Sequence, residues 1–245
     1  MSDVIDDLEA EQDRLDAVLG GLTPQQWLTD SAAAGWTVAD VVLHLAQTEE
    51  AVAAAVHGDP SWIDWRRFGD NVDDAMNAMV RAQQADPDQI YQRWRDGRRE
   101  ALRALRAADP QEPIGWVASA VKPRTLATTR LAEHWAHGLD VTIPFGIEWP
   151  DTDRLRHVAW LGFSTLRYAY GLTGRAVPPV FCDLYGPDGS AWQFGDPGAE
   201  SVIAGPGGAF CRVGAQRLTP AESGLKTTGP HGAEVLAMLR NYADT

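Results

Sequence analysis

The chain has 245 residues, a formal net charge of −13 and only two lysines, Lys122 and Lys226. That balance lacks the positive footprint that phosphate backbones and anionic lipid surfaces require, so it argues against nucleic-acid and membrane-surface partners. Hydrophobic residues at 44% and charged residues at 22% are ordinary for one large or two smaller globular domains.

Other bulk features narrow the setting. Ten tryptophans point to a bulky core or an aromatic-lined pocket. The two cysteines, Cys182 and Cys211, make no disulfide framework. The acidic opening "MSDVIDDLEAEQD" has no apolar run of the kind a signal peptide needs. No stretch reaches the ~18 apolar residues of a membrane span, so a reducing cytoplasm is the expected location.

In chain order, "SDVIDDLEAEQDRLDAVLGGL" predicts a helix with Ile5, Leu8, Leu15, Val18 and Leu19 on one face, stopped at Gly20-Gly21. "TPQQW" reads as a short helical turn with Pro24 at its first position. "GWTVADVVLHLAQTEEAVAAAVHG" predicts a second long helix. Thr37 is its N-cap, Asp40 takes the place of the Glu or Gln of a capping box, and Val38, Val41, Val42, Leu45, Val52 and Val56 form its apolar stripe. "SWIDWRRFGDN" is a connection in which Trp62, Trp65, Arg66 and Arg67 could edge a pocket. "DDAMNAMVRAQQ" and "DPDQIYQRWRDGRREALRALRAAD" are helical, the second with an arginine-rich outer face. After a proline-rich loop, "RTLATTRLAEHWAHGLDVTIPFG" is the fourth major helix, broken near Pro144, and "DTDRLRHVAWLGFSTLRYAYGL" follows it.

The pattern then changes. "PPVFCDLYGPDGSAWQFG" has the hairpin signal of two short strands around Pro-Asp-Gly, and "ESVIAG" supplies a third strand. "GPGGAFCRVGAQ" and "GPHGAEVLAMLRNYA" read as helices. The expected architecture is therefore α+β and mainly α. A helical bundle spans residues 1–174, and a small α/β domain spans 175–245.

The chemistry concentrates in "LAEHWAHGLD", residues 131–140. Glu133 and His137 are four apart and share a helix face. His134 is turned about 100° away and cannot easily join them. Asp140 returns to the same side, placed to accept an imidazole N–H from His137. A Glu-x-x-x-His pair alone also fits a solvated helix face. His44 is the candidate third ligand from the second helix, although a histidine in an apolar section also fits a satisfied core position. Together the three would make an open site with room for water or substrate.

"GWTVADVVLHLAQTEEA" followed by "RLAEHWAHGLDV" resembles the two signature segments of the DinB-like superfamily, in the branch of mycothiol-dependent maleylpyruvate isomerase. The resemblance implies a DinB-like four-helix bundle with a small C-terminal domain. Carried over by motif, it implies His44, Glu133 and His137 as metal ligands, with Asp140 in the place of the following aspartate. The C-terminal part is closer to a group of actinobacterial metal-binding proteins, some with a wyosine-base-formation-like domain. That label would point to tRNA, against which the charge of −13 speaks.

The resemblance also implies a reaction class. A divalent ion lowers the pKa of a bound thiol or water. The thiol would be mycothiol or a similar small molecule, adding to an electrophilic carbon as isomerase or S-transferase. Zinc is the first expectation for the ion; iron, nickel and manganese suit the same ligands. A metal-dependent lyase, hydrolase or cyclase that uses water, and a non-catalytic metal-binding protein, stay open. Arg217 and Arg130 are the candidates to hold a substrate carboxylate, and Arg130 could instead simply pair with an acidic neighbour. Arg217 would hold the carboxylate from a C-terminal domain lying near the open side of the metal, in a monomer or homodimer.

Overall fold

The structure, a computed structural model, describes residues 3–117 and 119–242, with the side chains of all of these except 62–64. It resolves into two compact units that meet at Trp149 and Pro150.

The first unit is helical. Its elements are α1 (Val4–Leu19), α2 (Pro24–Trp27), α3 (Val38–Val56), a 3-10 segment (Pro60–Arg67), α4 (Val72–Ala82), α5 (Pro87–Ala107) and α6 (Pro123–Thr142), closed by a 3-10 turn at Ile143–Phe145. α3 packs chiefly on α5 and α1 chiefly on α6, while α3 also meets α6 and α1 meets α5. Those contacts close a four-helix bundle of α1, α3, α5 and α6.

α1 and α5 each bury one stripe, whereas α3 and α6 are buried on most sides. On α1, Val4, Leu8, Leu15 and Leu19 are buried, while Ile5 and Val18 at the stripe's edges are only half-buried. α3 is buried almost all round, from Val38 through Gln47, as befits the central helix. Trp94 of α5 and Trp135 of α6 are among the largest fully buried side chains. The break after α6 falls at Pro144, where proline cannot continue the α-helical hydrogen bonding.

The second unit holds α7 (Leu155–Leu172), β1 (Val180–Tyr185), β2 (Ala191–Gly195), β3 (Ser201–Pro206), α8 (Gly207–Gly214), β4 (Lys226–Thr228) and α9 (Gly232–Ala237). The sheet order is β2-β1-β3-β4. β1 pairs with β2 antiparallel and with β3 parallel, and β3 pairs with β4 antiparallel. Gly189, at φ +83°, makes the β1–β2 turn that the Pro-Asp-Gly sequence signals.

α7 belongs to this unit, where it packs on α8 and touches β2. The sequence reading assigns it to the bundle and draws the line near residue 175, whereas the compact units divide between Trp149 and Pro150. An apolar stripe states that a helix covers something, and not which layer it covers. The terminal helix α9 is also shorter than its sequence suggests, and β4 carries no alternation from which to read it.

Candidate metal centre

The site is built from the ends of local structure upward. Thr37 caps α3, and the capping box is complete. Its Oγ1 accepts from the Asp40 N–H (3.2 Å), and its own N–H donates to Asp40 Oδ2 (3.0 Å). Asp40 does what the longer glutamate usually does. This fixes where α3 begins and so which face presents His44, two turns on.

Glu133 and His137 lie one turn apart on α6. Trp149 packs so closely over Gly138 that a Cβ there would run into its ring, which accounts for the glycine beside His137. His44 Nε2 lies 3.5 Å and His137 Nε2 3.4 Å from the same oxygen, Glu133 Oε2. One ligand atom from each of the three residues falls within 4.8 Å of the others. Neither His–Glu approach is a well-formed hydrogen bond. Both match the edge of a tetrahedral site, since two bonds of ~2.1 Å at tetrahedral angles separate their ends by about 3.4 Å. The donor set therefore fits a divalent cation.

The surroundings support that chemistry. His137 Nδ1 lies 2.9 Å from Oδ2 of the fully buried Asp140. As donor to that carboxylate, it keeps its hydrogen there and leaves Nε2 facing Glu133. Burial alone would lower the pKa of His137, but Asp140 and Glu133 outweigh it and raise it to about 9. Burial lowers His44, which favours the neutral ring that a cation needs. Burial would raise Glu133, yet the two imidazoles and the Arg130 charge hold it well below the usual carboxylate range. Of the three side chains, Glu133 is the most open at 28% exposed, against 9% for His44 and 11% for His137.

His134 faces a different environment. It is fully buried, with Nδ1 2.9 Å from the Arg130 carbonyl and Nε2 accepting from Trp94 Nε1 at 3.2 Å. Both ring nitrogens are used, and burial holds its pKa well below the ordinary value. Arg130 is buried too, donating to Glu49 Oε1 at 2.8 Å and to Thr48 Oγ1 at 2.6 Å. Of the two roles open to it, pairing with an acidic neighbour is the one seen. Its guanidinium is committed to α3, which argues against its holding a substrate carboxylate.

Arg217 lies in the second unit, half-buried, and donates to the Ala215 carbonyl at 2.9 Å. Trp65 is buried, while Arg66 and Arg67 are exposed; the side chain of Trp62 lies outside the described residues. Both cysteines are buried, and burial raises their thiols, Cys182 to about 12. Neither is a thiolate at neutral pH.

The sequence reading gives neither Trp36 nor Asn77 a role in the site. Trp36 is half-buried, its ring 5.2 Å from that of His44 and 6.3 Å from that of His137. Its position directly before the N-cap of the ligand helix was the available signal. Asn77 had none, because its link to Trp36 spans 41 positions.

A four-helix bundle carrying two histidines and a carboxylate on facing helices, joined to a small α/β unit, is the architecture of the DinB-like class. The profile of the family described as Mycothiol maleylpyruvate isomerase N-terminal domain matches residues 8–142, more than half of the chain, and the chain belongs to that family. It is 30% identical over 244 residues to Uncharacterized protein MT0041 and Uncharacterized protein Rv0036c, from two strains of Mycobacterium tuberculosis, covering 97% of this chain and 94% of each relative. Two crystal structures of mycothiol-dependent maleylpyruvate isomerase, one of them a histidine-to-alanine mutant, share the fold. Each superposes with a TM-score of 0.62 over 91% of both chains, at 15% and 16% identity. No helix among the described residues is long and apolar enough to cross a membrane.

Proposed function

We propose that the chain is a metal-dependent enzyme that uses a low-molecular-weight thiol of the mycothiol kind. It would act as an isomerase or S-transferase on a small, electrophilic, anionic substrate. The observation that carries this reading is the convergence of His44, Glu133 and His137 from α3 and α6. Membership of the mycothiol maleylpyruvate isomerase N-terminal domain family supports the thiol. So does the chemistry of the chain's own cysteines, both buried with raised pKa values.

A divalent cation, zinc by first preference, would supply the positive charge that lets a small thiol react as thiolate at neutral pH. The residues divide the remaining work. His44, and His137 once it has given up its Nε2 proton, would present neutral Nε2 atoms. Glu133 contributes one negative charge, so a divalent ion with these three ligands would keep one positive charge for an anionic partner. Asp140 holds the His137 tautomer. The greater exposure of Glu133 favours an open centre over a closed structural one.

Metal analysis of the purified chain tests the ligand set. We expect about one Zn2+ per chain, most of it lost in His137→Ala while the circular dichroism stays helical. Unchanged metal content in that variant would remove His137 from the set. Turnover of a reactive electrophile by the loaded protein should require added mycothiol or glutathione. Equal rates without thiol would favour a water-using lyase or hydrolase.

A further inference from the structure

The loop that leads into α3 carries Trp36 against the imidazole pair. Its ring lies within 23° of parallel to that of His137, and it is tilted at 49° to that of His44. The indole is pinned from outside the bundle core, since Nε1 donates to Asn77 Oδ1 of α4 at 2.8 Å. One turn further along α4, Arg81 donates to the Gly35 carbonyl at 2.6 Å and approaches Asp40 at 3.7 Å. Gln84, just beyond the helix, donates to Asp40 Oδ1 at 2.8 Å. One side of α4 thus grips both ends of the Gly35–Asp40 segment. The grip is polar, because α4 itself buries only Ala75 and Val80.

We propose that the Trp36 indole walls off one side of the His44–His137 pair, and that the Asn77 hydrogen bond latches it there, so that small ligands reach the centre past Glu133. This rests on the metal-centre reading above. The exposures agree, since the Glu133 side chain is more open than either imidazole. Without the indole a second route opens to the imidazole face. With the indole but without Asn77, the wall stands but is free to swing.

The test is the rate at which full-length, Zn2+-loaded protein surrenders its ion to excess 4-(2-pyridylazo)resorcinol, in wild type, Trp36→Ala, Trp36→Phe and Asn77→Ala. The visible spectrum of the Co2+-loaded forms reports the ligand set. We expect Trp36→Ala to release zinc roughly tenfold faster, the scale on which supporting groups tune metal sites. Asn77→Ala should move the rate the same way by less, and Trp36→Phe, which keeps an aromatic wall, should recover most of the loss. The Co2+ spectra should coincide. Wild-type release from Trp36→Ala would overturn the wall, as would wild-type release from Asn77→Ala should Trp36→Ala fail to fold. Faster release with an altered Co2+ spectrum would overturn it too, by making Trp36 a support of the ligands themselves. A wild-type chain that takes up neither Zn2+ nor Co2+ would instead defeat the metal-centre reading, and the wall with it.

Discussion

Ligation requires an unprotonated His137 Nε2, yet in the metal-free protein this imidazole titrates at about 9. At pH 7 a cation must therefore expel a proton to bind. The apparent Zn2+ affinity should rise about tenfold per pH unit toward pH 9 and then level off, with roughly one proton released per ion at pH 7. His44 and Glu133 add little to this slope, since burial keeps the first neutral and its neighbours keep the second ionised. Competition titrations across pH would show it, and a flat wild-type profile would exclude His137 as a ligand. Asp140→Asn should flatten the profile, because it removes a partner that raises the imidazole. The same shift acts on the metal-free fold with the opposite trend. A histidine raised from 6.5 to about 9 contributes stability that is complete below 6.5 and lost as pH climbs through 9.

At the scale of elements, α3 and α6 must hold their mutual register for the three ligand atoms to meet. The Glu49–Arg130 pair spans those two helices, with side chains 0% and 3% exposed. Arg130→Met would leave Glu49 buried without its partner, which burial already pushes toward protonation. Breaking such a pair costs about 3–5 kcal/mol, whereas replacing both charges is often near neutral. We therefore expect a large drop in the urea midpoint for Arg130→Met and substantial recovery in Glu49→Gln/Arg130→Met. A double variant that loses the sum of what Arg130→Met and Glu49→Gln lose singly would show that the two residues are not coupled.

For the whole molecule, the division at Trp149 and Pro150 places every candidate ligand, together with Asp140, Trp36 and Asn77, in the first unit. A chain cut after Trp149 should stay helical and bind Zn2+ with the stoichiometry of the full protein. A chain cut at residue 174 should behave worse. It keeps α7 while removing β2 and α8, the elements α7 packs on, and so strands Val158, Leu161 and Leu166 in water. Size-exclusion chromatography and metal analysis of the two fragments would decide. A monodisperse longer fragment beside an aggregated shorter one would put α7 back with the bundle.

The local sequence determined a good deal. Apolar spacing marked α1 and α3, Thr37 and Asp40 marked the start of α3, and Pro-Asp-Gly marked the hairpin. The i,i+4 spacing put Glu133 and His137 on one face, and turned His134 off it. These are short-range matters of helix pitch, capping and turn geometry, which neighbouring residues settle among themselves. The meeting of His44 with Glu133 is of another kind, because it depends on how two helices far apart in sequence are packed. So do the Trp36–Asn77 contact, the commitment of Arg130 to Glu49, the parallel pairing of β1 with β3, and the placement of α7. A stripe of apolar or polar residues states that a face will be covered. Only tertiary packing decides by what, since the partner's identity is written at no fixed spacing along the chain.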